Sequence, residues 1–198
     1  MPVGIPRVAF QIPGDEDASW VDLYNRTYQE RLLFICQEVD AEIGNQISGL
    51  LIYLSIENST RDINLFLNCP GGDVISGLAI YDTMQFVKAV VKTIAIGVAA
   101  SMGSLILLGG GIGNRTAFEH SRVMIHQPFT SYHYARSRDC ILEASEISRM
   151  RETMITIYVQ RTGQPYSLVA EDINRDRFMS VEEAKDYRIV DAVAEVLE

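Results

Sequence analysis

Thr93-Ile-Ala-Ile-Gly-Val-Ala-Ala-Ser101-Met-Gly-Ser104 begins as a β-branched run and ends on a serine set among small residues and glycines. The β-branched opening predicts a strand over 93–96. Gly97 and Gly103 permit a tight strand-to-helix turn, and Ala99 and Ala100 let neighbouring backbone approach closely. A serine at the start of a helix has backbone N–H groups pointing its way. The stretch therefore reads as one β-turn-α unit, and units of this kind build α/β folds with right-handed crossovers.

The run from 93 to 114, between Lys92 and Arg115, carries no charge, which by length alone suits a membrane span. Six glycines fall within it, including Gly109-Gly110-Gly111. Short apolar pieces broken by glycine fit a buried strand, a turn and a buried helix better, so the reading is α/β and not membrane-inserted.

The same alternation continues on either side. Val39, Ile43, Ile47, Leu50, Leu51 and Leu54 form one face of a helix over 39–54. Ile63-Asn-Leu-Phe-Leu67 reads as a strand ending at the turn Asn68-Cys-Pro-Gly-Gly72, and 78–87 reads as a helix. A long amphipathic helix spans 137–161, with Cys140, Ala144, Ile147, Met150, Met154 and Tyr158 on one side, and Gly163 and Pro165 end it. Ser180-Val-Glu-Glu183 is a capping box for a short helix, and 189–193 reads as a last strand. The first stretch, through Asp17, is rich in Pro and Gly and is expected to be mobile. No boundary divides 1–198, which is read as one domain.

Composition narrows the function classes. A net charge of -9 argues against nucleic acid as a main partner, because phosphate binding needs clustered Lys and Arg. The cysteines, Cys36, Cys69 and Cys140, show neither metal-ligand spacing nor a disulfide framework, which fits a reducing compartment and no metal. The start, Met1-Pro-Val-Gly-Ile-Pro-Arg7, lacks the features of a signal or transit peptide, so the chain is expected to work where it is made. No P-loop pattern is present, and no cofactor is expected; any ATP hydrolysis falls to another chain.

A serine hydroxyl needs a neighbouring base before it acts as a nucleophile. His126, in Arg122-Val-Met-Ile-His126-Gln-Pro128, is one of three histidines, with His120 and His133 as rivals. Spacing alone favours the plainer readings, Ser101 as a helix N-cap and His126 as a hydrogen-bonded core histidine.

The two stretches around Ser101 and His126 resemble the serine and histidine signatures of the Clp protease proteolytic subunits, and the resemblance covers nearly the whole chain. It implies a ClpP/crotonase-type α/β fold of repeated ββα units with the long helix as a projecting handle. It implies Ser101 as nucleophile, His126 as base, and Asp176 as third member, within Asn174-Arg175-Asp176-Arg177-Phe178. The oxyanion donors would be the backbone N–H groups of Gly72 and Met102. The family also implies stacked seven-membered rings, a hexameric AAA+ unfoldase as partner, and unfolded polypeptide as substrate. His120 and His133 are then surface or interface residues.

Gly14-Asp-Glu-Asp-Ala-Ser-Trp20-Val-Asp-Leu-Tyr24-Asn-Arg26 and Glu30-Arg-Leu-Leu-Phe34 are similar to plastid-encoded members, which implies the chloroplast stroma, with a bacterial cytoplasm as the alternative. Two departures stand out. Asn174 replaces a usual acidic residue that helps join rings, and Phe129-Thr-Ser-Tyr-His-Tyr-Ala-Arg-Ser137 lacks the family's handle-strand glycines. Two other functions keep the fold: a catalytically weak scaffold in a mixed ring, or a crotonase-type acyl-CoA enzyme.

Overall fold

The computed structural model describes residues 4, 6–11, 19–130 and 136–194. Within the N-terminal stretch, β1 (Arg7–Phe10) pairs antiparallel with β2 (Ser19–Asp22), and Val8 lies opposite Val21. Asp22 then caps α1 (Leu23–Gln29), its carboxylate accepting the Tyr24 N–H at 2.7 Å. The two-residue alternation of this pairing was too short to be legible among the prolines and glycines around it.

The main sheet, seven strands among the described residues, begins with β3 (Leu32–Ile35) and β4 (Ile63–Cys69). Leu33, Ile35, Ile63, Leu65, Leu67 and Cys69 alternate toward the core and are essentially inaccessible to solvent. Burying each Leu or Ile side chain contributes ~1.5–3 kcal/mol. β5 (Val91–Ala100), β6 (Arg115–Ala117) and β9 (Ala192–Val193) continue the sheet in the order β3-β4-β5-β6-β9, all parallel. β7 (Arg122–Ile125) also runs parallel to β5, and β8 (Arg177–Met179) lies antiparallel beside β7.

Parallel strands need crossovers, and helices supply them: α2 (Ala41–Glu57) after β3, α3 (Val74–Phe86) after β4 and α4 (Met102–Leu108) after β5. α2 buries Ile47, Leu51 and Leu54, as the apolar spacing predicts, but starts at Ala41 because Asp40 accepts the Ile43 N–H at 2.8 Å. α3 starts four residues before the expected Leu78, because Asp73 accepts both the N–H of Ser76 at 2.8 Å and its hydroxyl at 2.6 Å. These bonds, the Ser76 hydroxyl first, hold the Asp73 carboxyl below its ordinary pKa. The uncharged run resolves into β5, a turn, α4 and a glycine loop, and among the described residues no helix is long and apolar enough to cross a membrane.

β5 is the hinge of the architecture. It pairs with β4 in step up to Leu67 opposite Ala95, then slips so that Cys69 faces Ala99. The extra residues form a bulge. Before it, β5 pairs with β6 through Thr93–Ala95; after it, β5 pairs with β7 through Val98–Ala100. The Asn68 side chain fills the bulge, its Oδ1 accepting the Val98 N–H at 3.1 Å. A side chain at Gly97 would stand 2.5 Å from that oxygen, so it would push the Asn68 amide out of the bulge.

α5 (Ser137–Thr162) has two halves. Met154, Ile155, Ile157 and Tyr158 are buried, whereas Cys140, Ile141 and Leu142 are exposed, so the apolar stripe continues past the core that covers its other half. Gly163, at φ 71°, ends the helix in the left-handed region. α6 (Tyr166–Asp172) and α7 (Val181–Asp186) follow, and α7 carries the expected capping box of Ser180 and Glu183. The expected strand over 189–193 shortens to Ala192–Val193. Ile189 and Val190 are buried, but the Ile189 N–H bonds back to Ala184 as the chain leaves α7, so their apolar character reflects burial without strand pairing.

Candidate active site

Three strand ends converge. The Ser101 N–H, one residue past β5, donates to Met124 of β7 at 2.8 Å. β7 and β8 pair Ile125 with Arg177, and continuing that register by one residue sets His126 opposite Asp176. The partner change of β5 at the bulge is therefore what brings a serine, a histidine and an aspartate from distant parts of the chain to one place.

Ser101 Oγ lies 2.7 Å from His126 Nε2, and His126 Nδ1 lies 3.2 Å from Asp176 Oδ1. With Nε2 accepting the serine proton, Nδ1 carries a proton and donates to the carboxylate. Ser101 occupies the N-cap position of α4, yet its side chain makes no capping bond. Its backbone stands at φ 54° and ψ -122°, a strained value for a residue with a side chain. Such a strand-to-helix elbow pushes a nucleophile out of the turn toward a base. The imidazole is 15% exposed and packs edge-on to Phe129, with ring centroids 5.7 Å apart.

The turn after β4 lies against this elbow. A side chain at Gly71, φ 119°, would stand 2.7 Å from Ser101 Cβ, and one at Gly72, φ 139°, only 2.1 Å from the Val39 carbonyl oxygen. Both positions need glycine. Val39 bridges to the turn through Gly71 O and the Asp73 N–H, which leaves the Gly72 N–H out of the bridge. Met102 is the first residue of α4, so its N–H has no acceptor within the helix. The two amides expected to hold an oxyanion are therefore not consumed by the elements that carry them.

α5 braces the site in ways that sequence reasoning missed. Arg151 donates to Gln127 Oε1 at 3.2 Å, Asn174 Oδ1 at 2.9 Å and the Ala170 carbonyl at 3.1 Å. Gln127 in turn donates its side-chain amide to the Asn174 carbonyl at 3.2 Å. Asn174 thus serves this chain's own α5, ordering the segments beside His126 and Asp176. Tyr158, on the buried half of α5, meets Ser104 Oγ at 2.6 Å. An apolar helix stripe was the only signal for Tyr158, and its hydroxyl partner is invisible at that level.

The remaining expectations place as follows. His120 is exposed and lines a separate cleft of about 990 Å³ with Phe66, Ile94, Ile96 and Phe118. His133 lies outside the described residues, as do 131–135 of the expected handle strand, while Phe129 and Thr130 form no strand. Cys69 is buried, and burial raises its thiol above the ordinary pKa; Cys36 and Cys140 are exposed. Among the described residues no cluster of His, Cys, Asp and Glu is placed to hold a metal ion.

The family model described as Clp protease matches residues 14–196. The ATP-dependent Clp protease proteolytic subunit of Nicotiana tabacum is 60% identical over 194 residues, covering 98% of this chain and 99% of that one. The same-named subunit of Daucus carota is 61% identical over 196 residues, covering 99% and 100%. That of Epifagus virginiana is 59% identical over 194 residues, covering 98% and 99%.

Proposed function

The chain belongs to the Clp protease family, and we propose that Ser101, His126 and Asp176 form its catalytic triad, with the backbone N–H groups of Gly72 and Met102 as the oxyanion hole. It is the proteolytic subunit of an ATP-dependent Clp protease and a serine-type endopeptidase. Such a subunit partners with Clp ATPases in an oligomeric assembly.

The 2.7 Å contact between Ser101 Oγ and His126 Nε2 carries the assignment of roles. Ser101 Oγ attacks the scissile carbonyl carbon while His126 Nε2 takes its proton. The carbonyl oxygen gains negative charge and is held by the Gly72 and Met102 amides. His126 returns the proton to the leaving amine, the C–N bond breaks, and an acyl-serine remains. Water then attacks the ester, giving its proton to His126, and Ser101 leaves with a proton regained from it. Asp176 keeps the imidazole in the tautomer that accepts at Nε2 and stabilises its charged form.

The finer reading is that residues 1–198 work as one proteolytic domain in stacked seven-membered rings, whose inner chamber receives polypeptide unfolded by a hexameric AAA+ partner. The exposed Ile141 and Leu142 on α5 favour that half-helix as the contact between rings. The likeness to plant subunits favours the chloroplast stroma. A crotonase-type acyl-CoA activity finds no use for the Ser101–His126 contact, which favours hydrolysis through an acyl-serine.

Labelling of the assembled complex with a fluorophosphonate probe tests the triad. Modification at Ser101, absent in Ser101→Ala together with peptidase activity, is the expected result. Full peptidase activity in Ser101→Ala overturns the assignment.

A further inference from the structure

We propose that Tyr158 and Ser104 are positioning residues that aim the Met102 N–H at the oxyanion through the Ser101 carbonyl; the proposal rests on Ser101 as nucleophile and Met102 as oxyanion donor. The Ser104 hydroxyl donates to the Ser101 carbonyl oxygen at 2.7 Å. A serine has one hydroxyl proton, so in the 2.6 Å contact between Ser104 Oγ and Tyr158 Oη the tyrosine is the donor. The result is a directed chain, Tyr158 O–H to Ser104 O–H to Ser101 C=O.

Planarity of the peptide bond gives that chain its meaning. The Ser101 C=O and the Met102 N–H belong to one trans peptide unit and point in opposite directions. Whatever fixes the carbonyl fixes the line along which the amide points. The Ser101 oxygen already accepts the Ser104 N–H at 3.0 Å and the Leu105 N–H at 3.3 Å. A third donor is not needed to satisfy it, but it does constrain the rotation of the peptide plane, beside a residue whose φ of 54° is strained.

Burial makes the constraint firm. Ser104 is 0% and Tyr158 1% exposed, so water does not compete for either hydroxyl. α5 holds the other end of α4 as well, since Arg161 donates to the Leu108 carbonyl at 3.1 Å and to that of Gly110. The short helix that presents the oxyanion amide is thus gripped at both ends by side chains of one long helix. Tyr158 acts on the reaction only through Ser104, and neither hydroxyl touches substrate.

The test uses the assembled complex with Tyr158→Phe, Ser104→Ala and the double variant, assayed on a peptide substrate. Each single variant is expected to lower kcat by about tenfold, less than loss of a whole oxyanion donor, with KM unchanged. The double variant is expected to match Ser104→Ala alone, because the two hydroxyls act in series. A peptide aldehyde that forms the tetrahedral adduct should weaken by the same factor as kcat/KM. Product-peptide affinity, measured in the Ser101→Ala background, should not change.

A kcat within about twofold of the parent in both single variants overturns the proposal, as do losses that multiply in the double variant or a rise in KM that accounts for the defect. Thermal melting and particle mass are read in parallel. If Tyr158→Phe fails to assemble, Ser104→Ala, which removes only one buried oxygen, decides. Turnover retained by Ser101→Ala would instead sink the triad itself. An inactive Ser101→Ala beside fully active positioning variants sinks this proposal alone.

Discussion

Asp176 meets the imidazole of His126 from the solvent side: Oδ1 lies 3.2 Å from Nδ1, with 64% of the aspartate side chain exposed and 15% of the histidine. An exposed carboxylate is screened by water and salt and holds its partner less firmly than a buried one. The backbone must therefore do much of the orienting, through the β7–β8 register and the Gln127–Arg151–Asn174 bonds. Asp176→Asn is expected to lower kcat by about 10- to 100-fold, short of the ~10⁴ seen for a buried triad aspartate. Steady-state peptidase assays at low and high salt check this, and a loss of ~10⁴ would mean the carboxylate becomes desolvated in the working assembly.

Gly72→Ala should be far more damaging than an ordinary loop substitution. The new methyl would lie 2.1 Å from the Val39 oxygen at a backbone φ of 139°. Relief requires breaking the Val39 bridge, at a cost of about 3 kcal/mol, and turning the Gly72 amide away from the site. The expected outcome is a lower Tm together with loss of peptidase activity. An active variant with unchanged melting would show that this amide is not an oxyanion donor.

Gly97→Ala tests the bulge. The added carbon would meet Asn68 Oδ1 at 2.5 Å, the atom that holds the Val98 amide. Displacing Asn68 loosens the change of partner from β6 to β7 and moves Ser101 relative to His126. Fluorophosphonate labelling should slow more than thermal stability falls, since the remaining ladders persist. Labelling at the parent rate would separate the bulge from the site.

Asp191 should contribute to acid sensitivity. Burial raises its carboxyl, but hydrogen bonds and charge from Arg115 and the Gly113 amide lower it further, leaving it below its ordinary pKa. The stability it contributes is fully present above the unfolded value near ~4 and is lost as pH falls through the lower folded value. Arg115, with a side chain only 4% exposed, depends on this partner. Asp191→Asn should cost about 3 kcal/mol at neutral pH, and the gap from the parent should close in acid. Urea midpoints at neutral pH and well below the ordinary carboxylate pKa measure both effects.

The exposed half of α5 predicts an assembly defect without a folding defect. Ile141 and Leu142 are 70% and 60% exposed, and neither adds to the core of its own subunit. Ile141→Glu with Leu142→Glu should leave circular dichroism and melting of the subunit unchanged while halving the particle mass seen by light scattering. An intact full-size particle would overturn the proposed contact between rings through α5.

Where burial and periodicity coincide, the sequence was readable. The α2 face, β4 and the end of α5 at Gly163 follow from apolar spacing and backbone freedom alone. Boundaries moved where side-chain caps intervened, as at Asp73. The expected final strand shrank because Ile189 and Val190 are apolar for the sake of burial, a property that does not distinguish ladder from loop. Ser101, His126 and Asp176 could be named through family likeness, but their meeting depends on β5 exchanging neighbours at a bulge, and no local pattern encodes a neighbour. Tyr158 and Arg151 read as ordinary helix residues because a hydroxyl or guanidinium reveals its role only through what stands opposite.

The backbone at Ser101 is held in its strained turn by β7, by α4 and, through Ser104, by α5, and its base is faced by an aspartate still further along the chain. During synthesis Ser101 emerges before His126 and Asp176, the groups proposed to activate it. On the proposed triad, a nascent chain carries an unactivated hydroxyl, and hydrolytic competence arrives only with the completed fold. In a family of peptidases, that order of events withholds the proposed activity from a copy that is still being made.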